Sequence, residues 1–186
     1  MKKIIGVMAI LIILSAPVSA QSGMGINLYG GSGLTFPASD MGDMAKTGYH
    51  GSVGFGLQLV PTLETVGRVS YHSLPLKDET GSSGDFTITE YGIDVHANMA
   101  DPTVKFKPYA LIGAGYAKYE FSSDIIDGFL DGLKPKTKFF YAFGGGLKVN
   151  AAPKLKFFLE MRYTKISIKD ASFNHFPITV GLNLSL

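Results

Sequence analysis

Apolar and polar residues alternate with period two through most of this chain. Successive side chains of a strand point to opposite faces, so sustained alternation reads as sheet with one face unlike the other. Eight segments carry it, roughly Gly25–Phe36, Thr47–Val60, Leu63–Leu74, Phe86–Met99, Lys107–Phe121, Lys138–Asn150, Leu155–Ile168 and Phe176–Leu186. The second sets Tyr49, Val53, Phe55, Leu57 and Leu59 against His50, Ser52, Gly54, Gly56 and Gln58. The sixth sets Phe139, Tyr141, Phe143, Leu147 and Val149 against Phe140, Ala142, Gly144, Gly146 and Lys148. The seventh sets Leu155, Phe157, Leu159, Met161 and Tyr163 against Lys156, Phe158, Glu160, Arg162 and Thr164. The fourth sets Thr89, Tyr91, Ile93, Val95 and Ala97 against Glu90, Gly92, Asp94, His96 and Asn98, and the third sets Val69 and Tyr71 against Glu64, Arg68, Ser70 and His72. The first and fifth segments alternate less cleanly, and their faces are left unassigned.

The pattern predicts an all-β fold, an eight-stranded antiparallel up-and-down barrel. Alternation alone does not say whether the apolar face lies inside, around a soluble core, or outside, against lipid. Three features favour a transmembrane barrel. The apolar set carries no charge except Lys165 near one rim, and a charge on the lipid face at the midplane costs about 2–4 kcal/mol. The polar set is crowded with Gly, Ala and Ser, which suits a narrow lumen, and its charges balance: Glu64, Glu90, Asp94 and Glu160 against Arg68, Lys148, Lys156 and Arg162. Short connections at Pro61-Thr62, Ala100–Phe106 and Ala151–Lys154 alternate with longer ones at Pro37–Lys46, Pro75–Asp85, Ser122–Thr137 and Lys169–His175. Periplasmic turns and extracellular loops differ in length in this way. Tyr49, Tyr71, Tyr91, Phe139, Tyr141 and Tyr163, and less regularly Tyr109, Phe157 and Phe176, are expected to form the interfacial girdles.

The chain opens MKKIIGVMAILIILSAPVSA. Lys2 and Lys3 precede the apolar run Ile4–Leu14, and small residues surround Ala20, so residues 1–20 read as a signal peptide cleaved after Ala20. The run is shorter than the roughly 20 residues of a membrane-spanning helix. Residues 21–186 are expected to form one barrel domain. There is no cysteine, which excludes disulfides and thiol-bound metal. The formal charge of +2 comes without a Lys/Arg cluster, so nucleic acid is not an expected partner.

The last segment, TVGLNLSL, places Thr179 two residues before Gly181, with Leu184 and Leu186 three and five residues after that glycine. It resembles the C-terminal β-signal of outer-membrane proteins, although such signals usually end in Phe where Leu186 stands here. The stretches GYHGSVGFGLQLVPTLETVGRVSYHSLPL (48–76), KPYALIGAGYA (107–117) and FYAFGGGLKVNAAPKLKFFLEMRY (140–163) extend the likeness. Residues 21–186 resemble the small outer-membrane β-barrel domain family, which includes the OmpA membrane domain and the OmpX and OmpW types. The resemblance implies a bacterial outer-membrane location, outer-membrane lipid as surroundings and the barrel-assembly machinery as a partner.

Eight strands enclose a space that side chains just fill. By depth, Arg68, Asp94, Glu160 and Arg162 are expected to share the middle of the lumen, in a wider network with Glu64, Glu90, Lys148 and Lys156. The leading reading is a non-enzymatic monomer with a filled lumen and a structural or surface-interaction role. A small-solute channel of the OmpW sort is the first alternative. Less favoured are a soluble lipocalin-like carrier and a lipid-A-modifying enzyme; for the enzyme, His50, Ser52 and His72 are the only candidates, without a Gly-x-Ser-x-Gly stretch. No catalytic residue, cofactor or metal site is assigned. The loop Ser122–Thr137 carries Ile125, Ile126, Phe129, Leu130 and Leu133 at near-helical spacing among Asp124, Asp127 and Asp131. It is the expected place for a surface ligand, since function in such scaffolds concentrates in loops.

Overall fold

Unpaired backbone groups are too costly in hydrocarbon, so a sheet in lipid must have no edge. The computed structural model describes residues 25–77, 84–100, 104–123, 136–168 and 171–186. Its strands are β1 (Ile26–Ala38), β2 (Gly48–Val60), β3 (Leu63–Pro75), β4 (Gly84–Asn98), β5 (Phe106–Ser123), β6 (Lys136–Ala152), β7 (Leu155–Ile168) and β8 (Ala171–Ser185). Each pairs antiparallel with the next in chain order. β8 returns to β1, from Asn27↔Ser185 to Ala38↔Asn174, and the barrel is closed. A short helix, α1 (Asp40–Met44), lies between β1 and β2.

The exposed large side chains are the apolar ones. Val53 and Phe55 of β2, Ile93 of β4, Ile112 of β5, Phe143 of β6, Leu159 and Met161 of β7, and Val180 and Leu182 of β8 all face outward. Glu64, Arg68, Glu90, Asp94, Lys148, Glu160 and Arg162 are buried. This is the reverse of a soluble barrel, and it removes the lipocalin-like carrier. It also assigns the two ambiguous strands. Asn27, Tyr29 and Thr35 of β1 point inward while Leu28, Leu34 and Phe36 point out. In β5, Tyr109, Leu111, Ala117 and Tyr119 point inward. Tyr109 therefore does not belong to an interfacial girdle. An inner row that is itself apolar erased the alternation in that strand.

The last strand differs from expectation. β8 begins at Ala171, not Phe176, and Ile168 pairs with Ala171, so there is no seven-residue loop between β7 and β8. Phe173 and His175 both turn into the barrel, and Asn174 donates to Ser39 Oγ beside α1 at 2.8 Å. The polar residues there concealed a strand whose outer face is covered by the β1–β2 connection. Residues 1–20 and the central part of the Ser122–Thr137 loop, with its apolar and acidic residues 124–133, lie outside the described residues.

The barrel interior is layered. At the end of the longer connections an apolar plug gathers Met41, Leu74, Phe86, Ile88, Phe140 and Phe173. At the other end Phe158 packs with Tyr29 and Val66. The β1–β8 seam is tight beside that cluster. A Cβ on Gly181 would run into the Gly30 carbonyl, the Gly31 Cα and the Phe158 ring. Glycine is needed there for close approach of two strands and an aromatic ring.

Candidate functional site

Charged side chains inside a barrel need partners, because a lone buried ion is far costlier than a paired one. Small residues make room for them: Arg68 lies opposite Gly54 and Gly92, Arg162 opposite Gly144, and Glu160 opposite Gly146. The middle layer is built from opposite walls. Arg68 donates Nη1 and Nη2 to the two oxygens of Glu160 at 2.8 and 3.1 Å, a bidentate fork. Its Nε donates to Asp94 Oδ2 at 2.8 Å. Asp94 Oδ1 accepts from Arg162 Nη2 at 2.5 Å, and Tyr109 donates its hydroxyl to Glu160 Oε2 at 2.7 Å. Arg68 stands on β3 and Glu160 on β7, four strands apart in a ring of eight, so their contact spans the full diameter. Charge-assisted bidentate pairs are among the strongest side-chain hydrogen bonds.

A second layer lies toward the short turns. The Glu64 carboxylate accepts from Asn27 Nδ2, the Tyr29 hydroxyl and Lys148 Nζ, each at 2.7 Å. Lys148 Nζ also sits 4.8 Å from the Tyr109 ring centroid, a cation–π contact. Lys156 is half-buried at this mouth and donates to Ser185 Oγ at 2.9 Å. A recess of about 270 Å³ opens here among Gln58, Asn98, Lys107, Lys148 and Lys156.

A third layer lies between the charges and the apolar plug. Thr35 Oγ1 bridges His50 Nδ1 at 3.0 Å and His72 Nδ1 at 2.9 Å. His50 Nε2 meets Thr179 Oγ1 at 2.9 Å. Glu90 faces His175 Nε2 at 3.1 Å and His72 Nε2 at 3.7 Å. The His50 and His72 rings stack at 5.1 Å.

The structure thus brings Arg68, Asp94, Glu160 and Arg162 into one cluster and Glu64 with Lys148 into another. Glu90 stands apart, among histidines, and Lys156 stands at the mouth. In the last strand Thr179 points inward, Gly181 sits in the seam, and Leu184 and Leu186 are exposed on the outer face. His50 is buried and engaged by two threonines, Thr35 and Thr179, rather than by Ser52 among the described residues. Sequence reasoning missed Asn27, Tyr29, Thr35, Tyr109 and His175. The signal for His175 was parity: counted back from Thr179, it falls on the inward side.

A closed barrel with an apolar exterior and an ionic, hydrogen-bonded interior is an integral membrane protein that crosses by strands. Residues 6–183 match the family described as outer membrane protein beta-barrel domain. The chain belongs to that family, and its place is the bacterial outer membrane. Solved structures agree in fold. Neisserial surface protein A superposes with a TM-score of 0.65 at 16% identity, over 89% of this chain and 100% of that one. OprG from Pseudomonas aeruginosa gives 0.60 at 13%, over 88% and 96%. Ail of Yersinia pestis gives 0.51 at 17%, over 87% and 97%. No curated protein sequence matches the chain.

Proposed function

We propose that this protein is a non-enzymatic monomer of the outer membrane whose lumen is sealed, and that it acts through envelope structure and surface-exposed loops. The Arg68–Glu160 fork carries the reading, because it joins opposite walls, and the space beside it among Arg68, Asp94 and Arg162 does not admit a water molecule. The apolar plug above and the Glu64–Lys148 layer below add two further barriers. His50, Ser52 and His72 face the lumen rather than lipid, which argues against chemistry on a lipid substrate. The Ser122–Thr137 loop supports a surface-ligand role by its apolar spacing. The export signal would be removed after Ala20, and the barrel-assembly machinery would read the strand carrying Thr179, Gly181, Leu184 and Leu186.

Planar-bilayer recording of purified wild type and Glu160→Ala tests the seal. Wild type is expected to give no steady conductance, and Glu160→Ala to introduce steps. Stable ion steps from wild type would favour the small-solute channel instead.

A further inference from the structure

Among the described residues the buried lumen charges other than Glu90 form guanidinium– or ammonium–carboxylate pairs, while Lys156, at the mouth, bonds the Ser185 hydroxyl. Arg68, Lys148 and Arg162 are matched by Glu64, Asp94 and Glu160 through hydrogen bonds of 2.5–3.1 Å. Glu90 is as buried as these, yet the side chains facing it in ion-pair range are two imidazoles, His72 and His175. One potential ligand atom from each of His72, Glu90 and His175 lies within 4.8 Å of the other two. Despite this closeness, His72 Nε2, His175 Nε2 and Glu90 Oε1 make no hydrogen bond of acceptable alignment among the described residues. All three residues are at most 2% exposed. Buried polar atoms without partners are rare and call for an unseen proton, water or ion.

We propose that His72 Nε2, His175 Nε2 and the Glu90 carboxylate bind one divalent transition-metal ion of the zinc type. Two imidazoles and one carboxylate are an established kind of zinc ligand set, with bonds of about 2.0–2.2 Å. A cation at their centre satisfies three unpartnered atoms and supplies the counter-charge that Glu90 lacks. The surroundings orient the ligands. His72 is held at its other nitrogen by Thr35 Oγ1 at 2.9 Å. Metal-bound histidines are commonly fixed in this way through the second ring nitrogen. His175 stands on β8 and Glu90 on β4, again four strands apart, so the ion would clamp opposite walls and tie the last strand across the barrel. The site is closed off by the apolar plug, so the ion enters as the barrel forms.

The test is to refold the full chain in detergent with zinc, dialyse against metal-free buffer and measure zinc per chain. Wild type is expected to retain about one ion per chain. His175→Ala and Glu90→Gln are expected to retain less than about a tenth of that, while His96→Ala, a buried histidine outside the cluster, is expected to match wild type. Thr35→Val should weaken zinc affinity by about 10-fold or more. Heat-dependent gel mobility reports whether each variant folds. Wild type without zinc, or a folded His175→Ala that retains it fully, overturns the proposal. Should neither ligand variant fold, X-ray absorption on zinc-loaded wild type decides: imidazole scattering supports the site, and an oxygen-only shell overturns it.

Discussion

Glu160 shows how a single carboxylate governs the lumen. It accepts a two-pronged bond from Arg68 and a third from Tyr109 while almost wholly buried. Removing one partner of such a network leaves an uncompensated charge, at a cost of about 3–5 kcal/mol. Glu160→Ala is therefore expected to lower unfolding stability by that amount in a urea titration in lipid vesicles. Replacing Arg68 and Glu160 together with Met and Leu should cost clearly less, since no orphaned ion remains. The charged residues were legible in the sequence, because parity put them on the face opposite Val, Phe and Leu. Their partners were legible only for the middle layer, where depth along the strands sufficed. The links from Tyr29 and Asn27 to Glu64 were not, because β1 mixes aromatic and small residues on its inner face. The histidine layer was not legible either, since His175 was read as part of a loop.

At the scale of the element, the seam between β1 and β8 is where the barrel is most exacting. Gly181 leaves no room for a side chain, and proline would also remove a donor from a central strand. Gly181→Pro, or deletion of Leu184–Leu186, is expected to reduce the folded protein recovered in the outer membrane; recovery equal to wild type would refute this. The outward faces make a separate prediction. Val53 is 63% exposed on β2, so Val53→Arg should cost about 2–4 kcal/mol if it meets lipid near the midplane, measured by reversible unfolding in vesicles. Most strand bounds read from alternation lie within two residues of the observed ones, and Leu155–Ile168 coincides. β8 starts five residues earlier than the alternation suggests, at Ala171, and its outward Asn174 meets Ser39 instead of presenting an apolar side chain. No apolar row marks that stretch in the sequence.

The whole molecule rests on one inversion: apolar outside, ionic inside. Period two gave the barrel, and the charge-free row gave the lipid. Neither could give the layering of the interior, which depends on how eight strands slide past one another on closure. The most direct test is a gel of the outer-membrane fraction in SDS, with and without boiling. The protein is expected in that fraction, and the unboiled sample is expected to run faster, as a closed barrel that resists the detergent does. Coincident bands, with the protein soluble in the periplasm, would contradict this.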